Sequence, residues 1–114
     1  MKEIIVRNKS FEFAVRIVNL SVYLRDKKRD YVLSKQILRS GTSIGANIEE
    51  ATGGVSKADF KNKLAIAYKE SREAHYWLRL LYRTNFIDNK MYISLESDCS
   101  ELKKMLYTIL KGLN

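Results

Sequence analysis

Arg39-Ser-Gly-Thr-Ser-Ile-Gly-Ala-Asn-Ile-Glu-Glu-Ala51, continued after Thr52 by Gly53-Gly54-Val-Ser-Lys-Ala-Asp-Phe60, decides the fold. The stretch is rich in small polar residues, yet it keeps a helical repeat. Leu33, Ile37, Ser40, Ile44, Ile48 and Ala51 share one stripe, and Gln36, Ser40, Ser43, Asn47 and Glu50 share a second at 4-3-4-3 spacing. Gly41 and Gly45 each cost a helix about 1 kcal/mol relative to Ala. Their place inside the repeat predicts that another backbone approaches closely there, or that the helix kinks. Gly53-Gly54 is expected to end the helix by taking the left-handed conformation open to glycine.

Working outward, the pattern predicts four helices over residues 10–24, 31–52, 56–84 and 88–110, in a single domain covering residues 1–114. In the first, Phe13, Ile17, Leu20 and Leu24 recur at 4-3-4 spacing, with Phe11, Ala14, Val18 and Val22 beside them. Only Glu12, Arg16 and Asn19 form a polar stripe. This apolar face is wider than a two-sided bundle needs. Either the helix is deeply buried in its own chain or part of the face packs on another subunit. Asp30 is placed to cap the second helix. Ser56 and Asp59 form a capping-box-like pair before the third, and Asp88 can cap the fourth. The third helix carries the strongest signal: Phe60, Leu64, Ala67, Ser71, Ala74, Leu78 and Leu81 repeat at unbroken 4-3 spacing, a heptad seam. In the fourth, Met91, Leu95, Leu102, Leu106 and Ile109 point inward. Short breaks between long helices favour antiparallel neighbours, hence an all-α, up-down-up-down four-helix bundle.

Composition agrees. A chain of 114 residues without proline, 46% hydrophobic and 30% charged, suits one compact helical domain. No apolar run approaches the roughly 20 residues of a membrane span. The start, Met1-Lys-Glu-Ile-Ile-Val-Arg7, lacks the apolar core of a secretory signal. The expected location is the cytoplasm. A net charge of +8, from 21 Lys and Arg against 13 Asp and Glu, favours polyanionic partners, RNA or DNA first.

Enzyme chemistry finds little support. The lone His75 has Arg at position 72, so the Glu-x-x-His motif of bundle di-iron sites is missing. One Cys and one His do not make a zinc site. Gly53-Gly54 lacks the lysine and spacing of a phosphate loop. No metal or cofactor is therefore expected. Cys99 reads as a small core or boundary thiol, and a Cys99–His75 nucleophile pair is the remote alternative. A carboxylate site using Glu50, Glu70 or Glu73 is a minor alternative. These glutamates, with Arg39 and Asn47, read better as a buried or interfacial polar network.

The basic residues are more informative. Lys61, Tyr68, Arg72, Arg79 and Arg83 share one stripe of the third helix, with Tyr76 beside it and away from the heptad seam. Such cations can follow a phosphate backbone while tyrosines stack on unpaired bases. Arg25, Lys27, Lys28 and Arg29 add four positive charges in the first break. The bland alternative for both groups is a hydrated surface, balanced in the break by Asp26 and Asp30. A protein–protein adaptor whose basic face meets an acidic partner is the competing function.

Gln36-Ile-Leu-Arg-Ser-Gly-Thr-Ser-Ile-Gly-Ala-Asn-Ile-Glu-Glu-Ala51, Ser56-Lys-Ala-Asp-Phe60, Ala67-Tyr-Lys-Glu-Ser-Arg-Glu-Ala-His-Tyr-Trp-Leu-Arg-Leu-Leu81 and Phe86-Ile-Asp88 together resemble the 23S rRNA intervening-sequence protein family. Many members carry Pro-Ala where this chain has Gly45-Ala46, and Gly where it has Ala51. The resemblance implies a left-handed antiparallel four-helix bundle without enzymatic activity. A related branch, the accessory proteins of diversity-generating retroelements, forms basic homopentamers associated with reverse transcriptase and nucleic acid. A homopentamer, nucleic acid, and a protein partner such as a reverse transcriptase are thus the partners the resemblance implies. Pentamerisation would account for the excess apolar surface of the first helix.

Overall fold

The first helix, α1, spans Lys2–Asp26 in the computed structural model, which describes residues 2–113. It starts eight residues before the predicted position at residue 10. The missed turns contain few apolar residues, but Val6 falls four residues before Ser10 and seven before Phe13, on the buried face. Arg7 also reaches across to Glu49, its Nε 2.6 Å from the carboxylate. One inward side chain and two cross-helix pairs, Arg7–Glu49 and Lys9–Glu101, thus extend a helix that local periodicity leaves unmarked.

The other helices lie close to their predicted positions: α2 over Leu33–Thr52, α3 over Lys57–Arg83 and α4 over Asn89–Gly112. All three predicted caps form. Asp30 accepts from Ser34 N at 2.8 Å, Ser56 Oγ from Asp59 N at 3.0 Å, and Asp88 Oδ1 from Met91 N at 2.8 Å. Asp30 acts from upstream of Val32, so α2 begins two residues later than expected.

The heptad seam of α3 holds from Leu64 to Leu81, every member of which is buried. It meets Ile37, Ile44 and Ile48 of α2, the Phe13–Leu24 face of α1, and Leu95, Cys99, Leu102 and Leu106 of α4 in one core. Buried serines return their hydroxyls to backbone carbonyls, Ser40 to Gln36 O and Ser71 to Tyr68 O. Among the described residues no buried side-chain polar atom lacks a partner, as a packed interior requires.

Cross-helix pairs set the directions. Arg7 meets Glu49, whereas Ser21 meets Ser34. Lys63 meets Glu50, whereas Glu70 meets Arg39. Ser71 meets Cys99, whereas Tyr82 meets Tyr92. Lys9 meets Glu101, whereas Arg16 meets Asp98. Each neighbouring pair is therefore antiparallel, α1 closes on α4, and the ends of α1 and α3 share one end of the bundle.

The close approach predicted at Gly41 and Gly45 occurs, and its partner is α1. A Cβ at Gly41 would lie 2.7 Å from Ile17 Cγ2, and one at Gly45 3.3 Å from Ser10 O. The expected left-handed glycine stop does not occur. Gly53 has φ −98°, and no described glycine has positive φ. Gly54 is crowded instead, since a Cβ there would lie 3.1 Å from Ala51 O and 2.6 Å from the movable carboxylate tip of Asp59. The left-handed positions are Arg29 and Asn85. Asn85 closes α3 with a bond from Phe86 N to Leu81 O at 2.9 Å, the six-to-one bond of a Schellman turn.

The wide apolar face of α1 is not buried within the chain. Phe11 is 63% exposed, and Val15, Val18 and Val22 are 42%, 44% and 39% exposed. With Ile4 they run at 7-4-3-4 spacing along one side. The polar residue Arg16 turns inward to α4, where its guanidinium bonds Asp98 at 2.6 Å and Ser94 Oγ at 2.7 Å. At Arg16 the flank of α1 that looks polar is thus partnered, and a flank that looks apolar is open.

Candidate nucleic-acid interface

The heptad seam rotates α3 so that its basic stripe faces outward along the α3–α4 side. Arg72, Arg79 and Arg83 are exposed and form no ion pair among the described residues. Lys61 is exposed at the opposite end, near the α2–α3 turn. Tyr68 is half-buried, with Arg72 Cζ 6.0 Å from its ring centroid and Tyr107 of α4 at 6.1 Å. An arginine over an aromatic face is held by the ring quadrupole. Tyr68, Arg72 and Tyr107 line a shallow groove of about 660 Å³ with Lys103 and Lys104, two cations the sequence stripe did not include. Their spacing from α3 is invisible until α4 is docked.

Nearer the other end of α3, Tyr76, Arg79 and Arg83 border a second groove of about 470 Å³. Tyr82 and Tyr92 complete it, their rings stacked 4.6 Å apart with an interplanar angle of 6°. Neither was among the predicted site residues. Tyr76 packs edge-on against Trp77 at 5.1 Å. Because the helices are antiparallel, Arg25, Lys27, Lys28 and Arg29 lie at this same end of the bundle. All four are exposed.

The predicted polar network divides. Arg39 Nη1 bonds Glu70 at 2.9 Å, its other terminal nitrogen meets Glu73, and Trp77 Nε1 donates to the same Glu73 oxygen at 3.0 Å. Glu70 is only 8% exposed, so the guanidinium compensates a carboxylate taken out of water. Asn47 and Glu50 do not join. Asn47 donates to Ser43 O within its own helix, and Glu50 pairs with Lys63 near the surface. Of the three α2 residues, only Arg39 lies on the side of the helix that meets α3's glutamates.

His75 sits between two α4 residues, with Nδ1 2.7 Å from Lys103 Nζ and Nε2 3.6 Å from Glu96. Burial, then the Lys103 charge, hold its pKa below the usual 6.5. Neutral His75 accepts from Lys103 and spreads no charge across the basic face. Cys99 is fully buried, donates weakly to Ser71 O at 3.4 Å, and burial pushes its thiol up to about 12. A thiol held protonated in this way is a core group, as the sequence predicted. Among the described residues no group of three His, Cys, Asp or Glu is placed to hold a metal. No described helix is long and apolar enough to cross a membrane.

The family model for 23S rRNA-intervening sequence proteins matches residues 2–108. The chain belongs to this family. A solved structure agrees: a protein of unknown function from the S23 ribosomal protein family of Bacteroides thetaiotaomicron VPI-5482, determined at 1.70 Å. The two are 55% identical over 97% of this chain and 99% of that one, with a TM-score of 0.95. No curated protein matches this chain. The four-helix architecture is shared with that structure.

Proposed function

We propose that this chain is a cytoplasmic, non-catalytic, homo-oligomeric module that binds nucleic acid through its α3–α4 face. One observation carries the reading: Arg72, Arg79 and Arg83 project from α3 with no carboxylate partner among the described residues, on a chain of net charge +8. Unpaired cations in register on one face cost like-charge repulsion, which phosphates relieve. Lys103, Lys104 and the Arg25 to Arg29 turn widen the same field. Members of the resembling retroelement branch assemble as homopentamers, and the open Phe11–Val22 stripe of α1 supplies an apolar surface for such an assembly.

Fluorescence anisotropy with labelled RNA and DNA over a salt series tests the reading. Binding should weaken steeply with salt and show little sequence preference. Replacing Arg72 and Arg79 by Gln should lower the slope of log K against log salt by about 1.4 to 1.8, one phosphate contact each. Absence of salt-sensitive binding at low ionic strength refutes it. The adaptor reading, in which the same guanidiniums meet an acidic protein such as a nucleic-acid enzyme, makes the opposite prediction. There, charge reversal at Arg72 and Arg79 removes partner capture and leaves RNA retention unchanged.

A further inference from the structure

The groove between α3 and α4 at the Asn85 turn differs in kind from the rest of the basic face. Its walls are Tyr76, Tyr82 and Tyr92, and its charged members are Arg79 and Arg83. Arg79 and Arg83 are one helical turn apart, so both guanidiniums rise on the same side. Neither has an anionic partner among the described residues. Glu96, one turn along α4 from Tyr92, is engaged by Ser100 Oγ at 2.9 Å and faces His75. Two like charges at this spacing repel each other, and an anion held between them removes that repulsion.

The aromatic part is already organised. Tyr82 and Tyr92 stack nearly parallel, and the Tyr82 hydroxyl is anchored by donation to Asn89 Oδ1 at 3.0 Å. Asp88 caps the helix that carries Tyr92, fixing its start against α3. Tyr76 remains 53% exposed at the groove edge. A duplex hides its base faces inside the stack and can offer this groove only phosphates. An unpaired nucleotide offers a π-face to the tyrosines and a phosphate to the arginines together.

We infer that this groove is a binding site for an unpaired nucleotide of a single strand, with the base against the Tyr76, Tyr82 and Tyr92 surface and an adjacent phosphate between Arg79 and Arg83. The inference rests on the nucleic-acid reading above and makes it specific: the α3–α4 face prefers single strands to duplex, and the preference resides in the aromatic groove. Because stacking tolerates any base, the site selects strandedness and not sequence.

The test uses the full chain with a short oligoadenylate, alone or in duplex with oligouridylate. Fluorescence of Trp77, the sole tryptophan, reports directly because its ring abuts Tyr76. Oligoadenylate should quench it and the duplex should not. Tyr92→Leu and Tyr76→Leu should each weaken oligoadenylate binding roughly ten-fold and leave duplex binding unchanged. Tyr92→Phe and Tyr76→Phe, which keep the ring, should bind as wild type. Circular dichroism of each variant verifies the fold, and the phenylalanine pair supplies the comparison if a leucine variant unfolds. If the leucine variants bind oligoadenylate as wild type, or lose duplex equally, the groove assignment is overturned while the basic-face reading stands. If the wild type binds neither probe at low salt, both are overturned.

Discussion

Gly41 of α2 and Ile17 of α1 meet where the two helices cross with no room for a methyl group: a Cβ at 41 would lie 2.7 Å from Ile17 Cγ2. Ile17 is wholly buried in the core and cannot swing aside. Gly41→Ala would gain about 1 kcal/mol of helix propensity, but overpacking of this kind costs about 1–3 kcal/mol. The expected net result is a loss of about 0–2 kcal/mol in chemical denaturation. In an Ile17→Ala background the same change should be neutral or stabilising, a coupling that a double-mutant cycle measures. Gly45→Ala, with its nearest contact at 3.3 Å, should lie within about 1 kcal/mol of wild type.

Arg39 holds Glu70 and Glu73 together across the α2–α3 seam. Arg39→Met should destabilise the fold by about 2 kcal/mol, below the full cost of breaking a buried pair because the guanidinium is half exposed. Adding Glu70→Gln should recover part of the loss, since the orphaned buried charge is then gone. Urea midpoints of the three variants measure this. Unfolding here, with no separable activity, argues for a scaffold and against a carboxylate active site.

His75 gives a pH dependence with a defined sign. Its folded pKa lies below the unfolded value of 6.5, so between the two the unfolded chain binds more protons. Its contribution to stability is complete above 6.5 and is lost as pH falls through the folded value. His75→Gln should therefore flatten the stability profile below pH 6.5 relative to wild type. Denaturation midpoints taken across that range should converge for the two proteins as the pH drops.

The open stripe of α1 predicts self-association. Phe11→Glu and Val18→Glu place charges on a surface that is exposed in the single chain, so the helical signal and the unfolding midpoint at low concentration should change little. The mass in sedimentation equilibrium should fall to that of a monomer. A wild-type mass already monomeric at tens of micromolar would contradict the assembly.

Much of the bundle is legible in the sequence because its determinants are local. Side chains three and four residues apart share a helix face whatever surrounds them, so the α3 seam, the inward stripes of α2 and α4, and the buried face of α1 are written in spacing alone. The caps at Asp30, Ser56 and Asp88 are legible for the same reason, since each acceptor serves a donor within four residues. Even the close contact at Gly41 and Gly45 is announced by the cost of glycine inside a helix.

Other features depend on how whole helices are turned against one another. The first turns of α1 are marked only by Val6, whose burial requires the docked bundle. Gly54 is crowded by Ala51 O and Asp59 and does not take a left-handed conformation. Arg39 finds Glu70 and Glu73 while Asn47 and Glu50, grouped with it in the sequence, do not. Above all, the tyrosine pair and the two added lysines of the α3–α4 face join residues ten to thirty-six positions apart along the chain. Sequence by itself determined four amphipathic helices, their caps and a basic stripe on the third. Only the tertiary structure decided which stripes are buried, which cations share a groove and which aromatics meet, because helix rotation and antiparallel register are set by the packing of the whole core and by no residue's neighbours in the chain.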